Sequence, residues 1–426
     1  VTFTSDDVLF FNMSAVSWWT AGTNGNGNFA YFYNNSTGKN AWSAHAVQYS
    51  GSVYYVKIPA GTWEGVILTR NNTSTSPSWD NKWNQTGDIA LSSTSNYISK
   101  SLSGNTEMIM YKVYDHTGEG GKVTHAHAMQ GWSSSSSKSW GLTKSAVENF
   151  ANANGLPIHM GVYNDETIEA IFANRDARLS LICDPEIFCT VGFAYTEGVN
   201  SSTGYYTDKL VDWNDYGTPT WSAPANTADA PIYTLSEVML NYAEACAEIE
   251  DLGGAAMSQK DLDISVNELR VKHGNMPALT YAGKGKVSVN GVEITADPKN
   301  VEGISNLLWE IRRERRSELM CDGFRYEDLL RWKQGYLLDF SKNPDGYRGV
   351  SRAALEAYVE AHKDEDLHKG QSMATIDANN SFDDKYLIGF DVTVNNRKFD
   401  ENKNYLEPIP STQITLHPAL GQNPGW

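Results

Sequence analysis

The sequence predicts a multidomain α+β chain, an N-terminal all-β sandwich followed by a mainly α, tetratricopeptide-like domain with long loops. Three observations predict it. Residues 1–115 carry short runs of β-branched and aromatic residues separated by Gly, Asn, Ser and Thr clusters. From residue 142 onward, helical spacing with capping signals takes over. Between them, 116–141 holds Gly118, Gly120, Gly121 and the serines 133–137, a composition that builds no core and reads as a linker. A length of 426 residues suits two or three domains.

The predicted strands are VLFFNM (8–13), FAYFY (29–33), VYYVKI (53–58), GVILTR (65–70) and MIMYKVY (108–114). Short strands with regular turn signals suggest two packed sheets. In the second domain, Thr234 and Glu237 form a capping-box pattern, with Tyr233 and Val238 placed to staple the helix start. Leu235, Val238, Met239, Tyr242, Cys246 and Ile249 follow helical spacing, and Gly253-Gly254 ends the run. Leu262, Val266 and Leu269 predict a second helix stopped by Gly274, making one helical hairpin.

The stretch 307–332, LLWEIRRERRSELMCDGFRYEDLLRW, packs four arginines and three glutamates into residues 310–318. Ile304, Leu308 and Ile311 line one side of this helix, and Gly323 offers a stop. Tyr326, Leu329, Leu330 and Trp332 give the next helix its apolar side. A charge run of this kind most simply forms ion pairs along a helix. In NRDAR (174–178), Asp176 beside two arginines predicts a fixed loop. The tail after Tyr405, with Pro408, Pro410, Pro418 and Pro424, predicts an extended segment pinned by side chains.

A net charge of -17 argues against nucleic acid as a partner. No apolar stretch is long enough for a membrane span. Trp and Tyr number 13 and 22, against 14 Phe, so most rings carry a polar handle suited to sugars. Cys183 and Cys189 are close enough to bridge across a loop, and Cys246 reads as a buried hydrophobe. No zinc-like Cys/His spacing occurs, and His125-Ala126-His127 reads as a loop rather than a metal site. No cofactor is expected.

Several segments together resemble the C-terminal half of SusD/RagB-type proteins. They are SWGLTKSAVENFANANGLPI (139–158), FANRDARL (172–179), TGYYTDKL (203–210), TLSEVMLNYAEACAEI (234–249), the charged segment, and YLEPIPSTQITLHPALGQNPGW (405–426). The resemblance implies a cell-surface lipoprotein of the outer membrane that captures glycan beside a TonB-dependent, SusC-like transporter. In that family a long helical half normally precedes the SWG segment. Here a β-rich region stands in its place, and a lipid-accepting N-terminal Cys is not in the chain, as expected for a fragment.

The β-rich region has its own resemblance. FNMSAVSWWTAGTNGNGNFAYFYNNSTGKNAW (11–42), YYVKIPAGTWEGVILTRNN (54–72) and WDNKWNQTGDI (79–89) resemble a starch-binding carbohydrate-binding module. The resemblance implies that Tyr31, Tyr33 and Trp42 form the sugar platform. Two residues apart on a strand, Tyr31 and Tyr33 point to one face. Sugar CH faces stack on such rings, while hydroxyl edges need hydrogen-bond partners. Gln85, Asn84, Lys82, Asn71 and Asn72 lie in loops that can supply them. The competing reading puts Tyr31 and Tyr33 in the core, although Ala30 and Phe32 already offer the opposite face to it. Trp79 and Trp83 fit either core or site, and Trp83 is taken as a site candidate. Tyr205, Tyr206 and Trp213, with Trp221, are candidates for a second glycan surface.

Carboxylates are abundant, but no pair is marked as flanking a glycosidic bond. There is no GxSxG elbow or phosphate loop. The expectation is therefore a non-catalytic protein binding starch or maltooligosaccharide for uptake. A protein-interaction scaffold without a sugar site is the alternative, and a glycoside hydrolase the second alternative.

Overall fold

A computed structural model describes residues 2–3, 8–12, 27–50, 53–73, 75–86, 89–90, 102–114, 141–184, 203–207, 209, 229–363, 372–379, 381–383, 385–388 and 397–426. The expected linker 116–141, the pair Trp18 and Trp19, His125, His127, Cys189, Trp213 and Trp221 lie outside these residues, apart from Gly141. The chain divides into two compact units, Val1–Ser93 and Thr94–Trp426.

Among the described residues the first unit holds ten strands: β1 (Thr2–Phe3), β2 (Val8–Asn12), β3 (Gly27–Asn34), β4 (Lys39–Trp42), β5 (Val47–Ser50), β6 (Val53–Lys57), β7 (Gly61–Thr62), β8 (Gly65–Asn71), β9 (Lys82–Gln85) and β10 (Ile89–Ala90). One sheet runs β10-β8-β3-β4, with β9 also paired to β8; a second runs β2-β6-β5, and β1 pairs β7. All these pairings are antiparallel. Ala30 and Phe32 on β3 and Val66 and Leu68 on β8 share one core with Tyr54 and Val56 on β6. The period-2 alternation of β3 puts these apolar side chains inward and turns Tyr31 and Tyr33 to the other face.

The second unit is mixed. Its helices are α1 (Lys144–Val147), α2 (Ile168–Phe172), α3 (Ala177–Ile182), α4 (Leu235–Asp251), α5 (Gln259–Asp263), α6 (Val266–Lys272), α7 (Asn306–Glu318), α8 (Arg325–Arg331), α9 (Arg352–His362), α10 (Met373–Asn379) and α11 (Ser411–Leu416). No described helix is long and apolar enough to cross a membrane. The strand Met108–Lys112, expected among the N-terminal strands, instead pairs with Ala230–Thr234 within this unit. The hydrogen-bond ladder to a segment over a hundred residues away is invisible to local strand propensity.

Thr234 caps α4, its side chain accepting from the Glu237 amide at 3.3 Å. Of the face expected to be apolar, Met239 and Cys246 pack against the core and the rest is turned outward. Leu235, Val238, Tyr242 and Ile249 are exposed, while Leu240, Ala243 and Ala247 enter the core with Glu244 and Glu250 beside them. Partners explain how the carboxylates go in. Glu244 takes Arg331, and Glu250 accepts from the Met257 and Gly285 amides at 2.7 and 2.6 Å and from the Tyr281 hydroxyl at 2.9 Å. Leu262, Val266 and Leu269 are buried as spaced, but on two short helices interrupted at Ile264 and Ser265. Helix α7 ends at Glu318, with Leu319 as its C-cap, so Gly323, at φ +89°, serves the turn before α8 rather than the end of α7. On α8, Leu329 and Trp332 are buried and Tyr326 is exposed.

The tail carries helix α11 within its proline frame, and its side chains pin it. Gln422 exchanges two hydrogen bonds with the Ile409 backbone, and Trp426 Nε1 donates to the Leu406 carbonyl at 2.9 Å.

Candidate functional site

On the outer face of the five-stranded sheet, Tyr31 pairs with Trp42 on β4 and with Ile67 on β8, while Tyr33 pairs with Asn40 and Gly65. Residues directly opposed in an antiparallel ladder project to the same side. The Tyr31 and Tyr33 rings lie 6.5 Å apart at 26°, about the rise of two strand residues, roughly 6.6 Å. Trp42 tilts against Tyr31 at 5.0 Å. Gly65 leaves the space in which the Tyr33 ring lies, since a Cβ there would stand 2.2 Å from that ring.

Trp79 joins them from the loop between β8 and β9, 4.7 Å from Tyr31 and 5.2 Å from Trp42, and is 40% exposed. Its position comes from a buried amide. Asn71, fully buried, donates to the Ser78 carbonyl at 2.9 Å and to Asn81 Oδ1 at 2.6 Å, and accepts from the Thr69 hydroxyl at 2.7 Å. Asn81 in turn donates to the Ser76 carbonyl and accepts from the Ser78 amide. Buried amides left unpaired are costly, so this network holds the loop in place.

Polar groups flank the rings. Lys82 Nζ lies 5.1 Å from the Trp79 ring centroid and donates to Gln85 Oε1. Gln85, opposite Thr69, is exposed on that side, whereas Asn84, opposite Arg70, projects to the other side of the sheet. At the far end, the β3–β4 turn closes through Gly38 at φ +70°. The Glu64 carboxylate accepts the Asn35 amide there at 2.7 Å.

Five of the expected residues, Tyr31, Tyr33, Trp42, Lys82 and Gln85, thus gather at one face. Trp83 does not share the ring contacts of this cluster; it stands 53% exposed with the Arg70 guanidinium 5.3 Å over its ring. Asn71 is an internal strut rather than a surface ligand. Tyr205 and Tyr206 are 2% and 3% exposed, so a sugar ring has no access to them. Their backbone lies among short strands: Tyr206–Thr207 pairs with Cys183–Asp184, and the Tyr205 ring enters the core with Phe150 and Val350. Trp79 is the residue that local pattern left undecided. A 3-10 turn at residues 79–81 and the start of β9 separate it from Trp83.

Residues 195–426, more than half of the chain, match the SusD family. The chain belongs to the SusD family. A solved SusD-like protein from Bacteroides fragilis NCTC 9343 is similar at 20% identity with a TM-score of 0.43, over 76% of this chain and 55% of that one. The chain therefore spans little more than half the length of that protein. No curated protein matches the sequence.

In the SusD-family region the charged segment is an internal clamp. Glu318 accepts from the Ser236 hydroxyl at 3.0 Å, pairs with His273 Nδ1 at 2.7 Å and with Arg178 at 2.7 Å. Arg178 also reaches Glu314 at 2.6 Å and Asp176, its helix cap, at 2.7 Å. Burial would raise the Glu318 carboxyl, but His273 and Arg178 outweigh it and hold it at about 2. Burial would likewise lower His273, yet its bonds to Glu107 and Glu318 raise it to about 10. Arg331 grips Glu244 with both terminal nitrogens at 2.7 and 2.6 Å, and Trp332 Nε1 donates to the same carboxylate. Arg175 spends its guanidinium on the Val147, Phe150 and Ile171 carbonyls at 2.8, 2.8 and 2.9 Å. Glu318 and Glu244 are held below the usual carboxylate range by these partners, which is the opposite of a raised catalytic acid.

Proposed function

We propose that this SusD-family protein is a non-catalytic glycan-capture protein of the cell surface, and that the aromatic face of its N-terminal unit takes an α-glucan such as starch or maltooligosaccharide. The observation that carries this reading is the cluster of Tyr31, Tyr33, Trp42 and Trp79, with neighbouring ring centroids 4.7 to 6.5 Å apart on an outer sheet face. Tilted rings offer a curved apolar surface, and a helical α-glucan presents successive CH faces to such a surface. Lys82 and Gln85 stand beside it to meet hydroxyl edges. The N-terminal unit then acts as a starch-binding module of sandwich type. The SusD-family unit, tetratricopeptide-like in its helical pairs, passes glycan to a TonB-dependent, SusC-like transporter in the outer membrane.

Retardation in a native gel containing starch tests the sugar half of the reading. The wild type is expected to be retarded, and migration unchanged by starch would contradict it.

A second observation favours a protein partner as well. Leu235, Val238, Tyr242 and Ile249 leave an exposed apolar stripe on α4. Capture of a transporter from outer-membrane extract, abolished by Val238→Asp, supports a partner there. Retention of a partner together with no sugar affinity would favour a scaffold over a glycan receptor.

A further inference from the structure

The SusD-family unit contains a cavity of about 580 Å³, the size of a small-molecule site. Its walls run against the charge of the chain. The chain carries a net charge of -17, yet the lining holds six cations, from Lys and Arg, against three carboxylates, Glu148, Asp297 and Asp345.

Half of those cations have partners inside the protein. Arg313 pairs with Asp297 and Glu310, Arg312 with Glu248 at 3.0 Å, and Lys299 with Glu148 at 2.9 Å. Arg316 and Arg325 do not. Among the described residues Arg316 makes one hydrogen bond, to the Ser145 hydroxyl at 3.2 Å, and neither guanidinium has a carboxylate within ion-pair distance. The Arg325 guanidinium lies 5.8 Å from the Trp332 ring. Donors are also left over on the same walls, since Trp309 Nε1 and the Tyr336 hydroxyl are buried without a partner among the described residues.

Withdrawing two guanidiniums from water with no carboxylate in ion-pair contact carries a penalty. The consequence shows in their acidity. Burial lowers Arg325 to about 10, and burial together with repulsion from Arg325 and Arg313 lowers Arg316 well below the usual arginine value. An anion would remove that penalty, and guanidinium forks match the two oxygens of a carboxylate or phosphate.

We propose that this cavity is a binding site for a small anionic ligand, its carboxylate or phosphate group taken by Arg316 and Arg325. The Trp309 and Tyr336 groups then face the rest of the ligand with hydrogen-bond capacity and ring surface. The site is separate in sequence from the aromatic face of the N-terminal unit and does not depend on the α-glucan reading.

Isothermal titration of the full chain at low ionic strength with sodium glucuronate, with the neutral methyl ester of glucuronate and with inorganic phosphate tests the proposal. At least one anion is expected to bind, at least about tenfold more tightly than the ester, as a charge-assisted pair implies. Glucuronate alone identifies a sugar acid, phosphate alone a phosphorylated ligand, and both the shared anion chemistry. Arg316→Gln and Arg325→Gln should each weaken binding about tenfold or more. Mapping of phenylglyoxal modification on the wild type gives a readout that needs no variant to fold, with the bound anion expected to protect Arg316 and Arg325. Ester binding equal to glucuronate overturns the proposal, as does the absence of both anion binding and protection.

Discussion

Tyr31 and Trp42 oppose each other across the β3–β4 ladder with ring centroids 5.0 Å apart, on the sheet face away from Phe32 and Ala30. Everything proposed for the N-terminal unit grows from that pair. The ladder sets which side the rings take, and the sheet core behind them fixes their spacing. Tyr33 extends the surface along β3, and Trp79 closes it from a loop.

Trp79 is therefore expected to matter as much as the strand residues. Trp79→Ala should weaken binding of maltohexaose about tenfold or more, the loss typical of a buried aromatic anchor. Trp83→Ala, outside the ring cluster, should leave it within about threefold. Titration calorimetry of both variants checks this, and a larger loss at Trp83 than at Trp79 would contradict the assignment.

Asn71 links fold to site. Asn71→Ala removes the amide that holds Ser78 and Asn81, leaving buried partners unsatisfied at a cost of about 1–3 kcal/mol. Urea unfolding of the N-terminal transition should show that loss, accompanied by weaker glucan binding because Trp79 is no longer held. An unchanged unfolding midpoint would show that the loop does not rest on this amide.

Gly65 is a steric test of the platform. A methyl group at Gly65→Ala would meet the Tyr33 ring at 2.2 Å, and a ring can swing aside where backbone cannot. The expected outcome is a folded protein with glucan affinity reduced several-fold. Circular dichroism and titration separate the two effects, and unaltered affinity would remove Tyr33 from the site.

The clamp around Glu318 makes the second unit sensitive to pH at both ends. Glu318 is held at about 2, below the ordinary value of 4.5, so its contribution is present above about 4.5 and is lost as pH falls toward 2. His273 is raised from 6.5 to about 10, so its contribution is complete below 6.5 and is lost as pH rises through 10. Stability of this unit should therefore decline from pH 6.5 to 10, and His273→Gln should flatten that decline. Thermal melts across the range decide it; an equal slope in wild type and variant would falsify the coupling.

Much of this was legible in the residues themselves. Alternation in FAYFY separates Ala30 and Phe32 from Tyr31 and Tyr33, and the N-cap at Thr234 follows from its spacing to Glu237. Other parts depend on partners that no local pattern reveals. The inward face of α4 is chosen by Glu244 and Glu250, which are admissible only because Arg331, Trp332, Tyr281 and two backbone amides wait for them. Tyr205 and Tyr206 look like loop aromatics until the 183–184 and 206–207 pairing carries them inward. Trp79 reaches Tyr31 across 48 positions only because Asn71 and Asn81 fold the intervening loop.

The most direct test of the account is titration calorimetry of maltohexaose into the wild-type chain and into the Tyr31→Ala, Trp42→Ala double variant. The account predicts saturable binding by the wild type and at least about a hundredfold weaker binding by the variant, as two stacking rings of roughly 1.5 kcal/mol each would give. No heat from the wild type, or equal heats from both proteins, would contradict it.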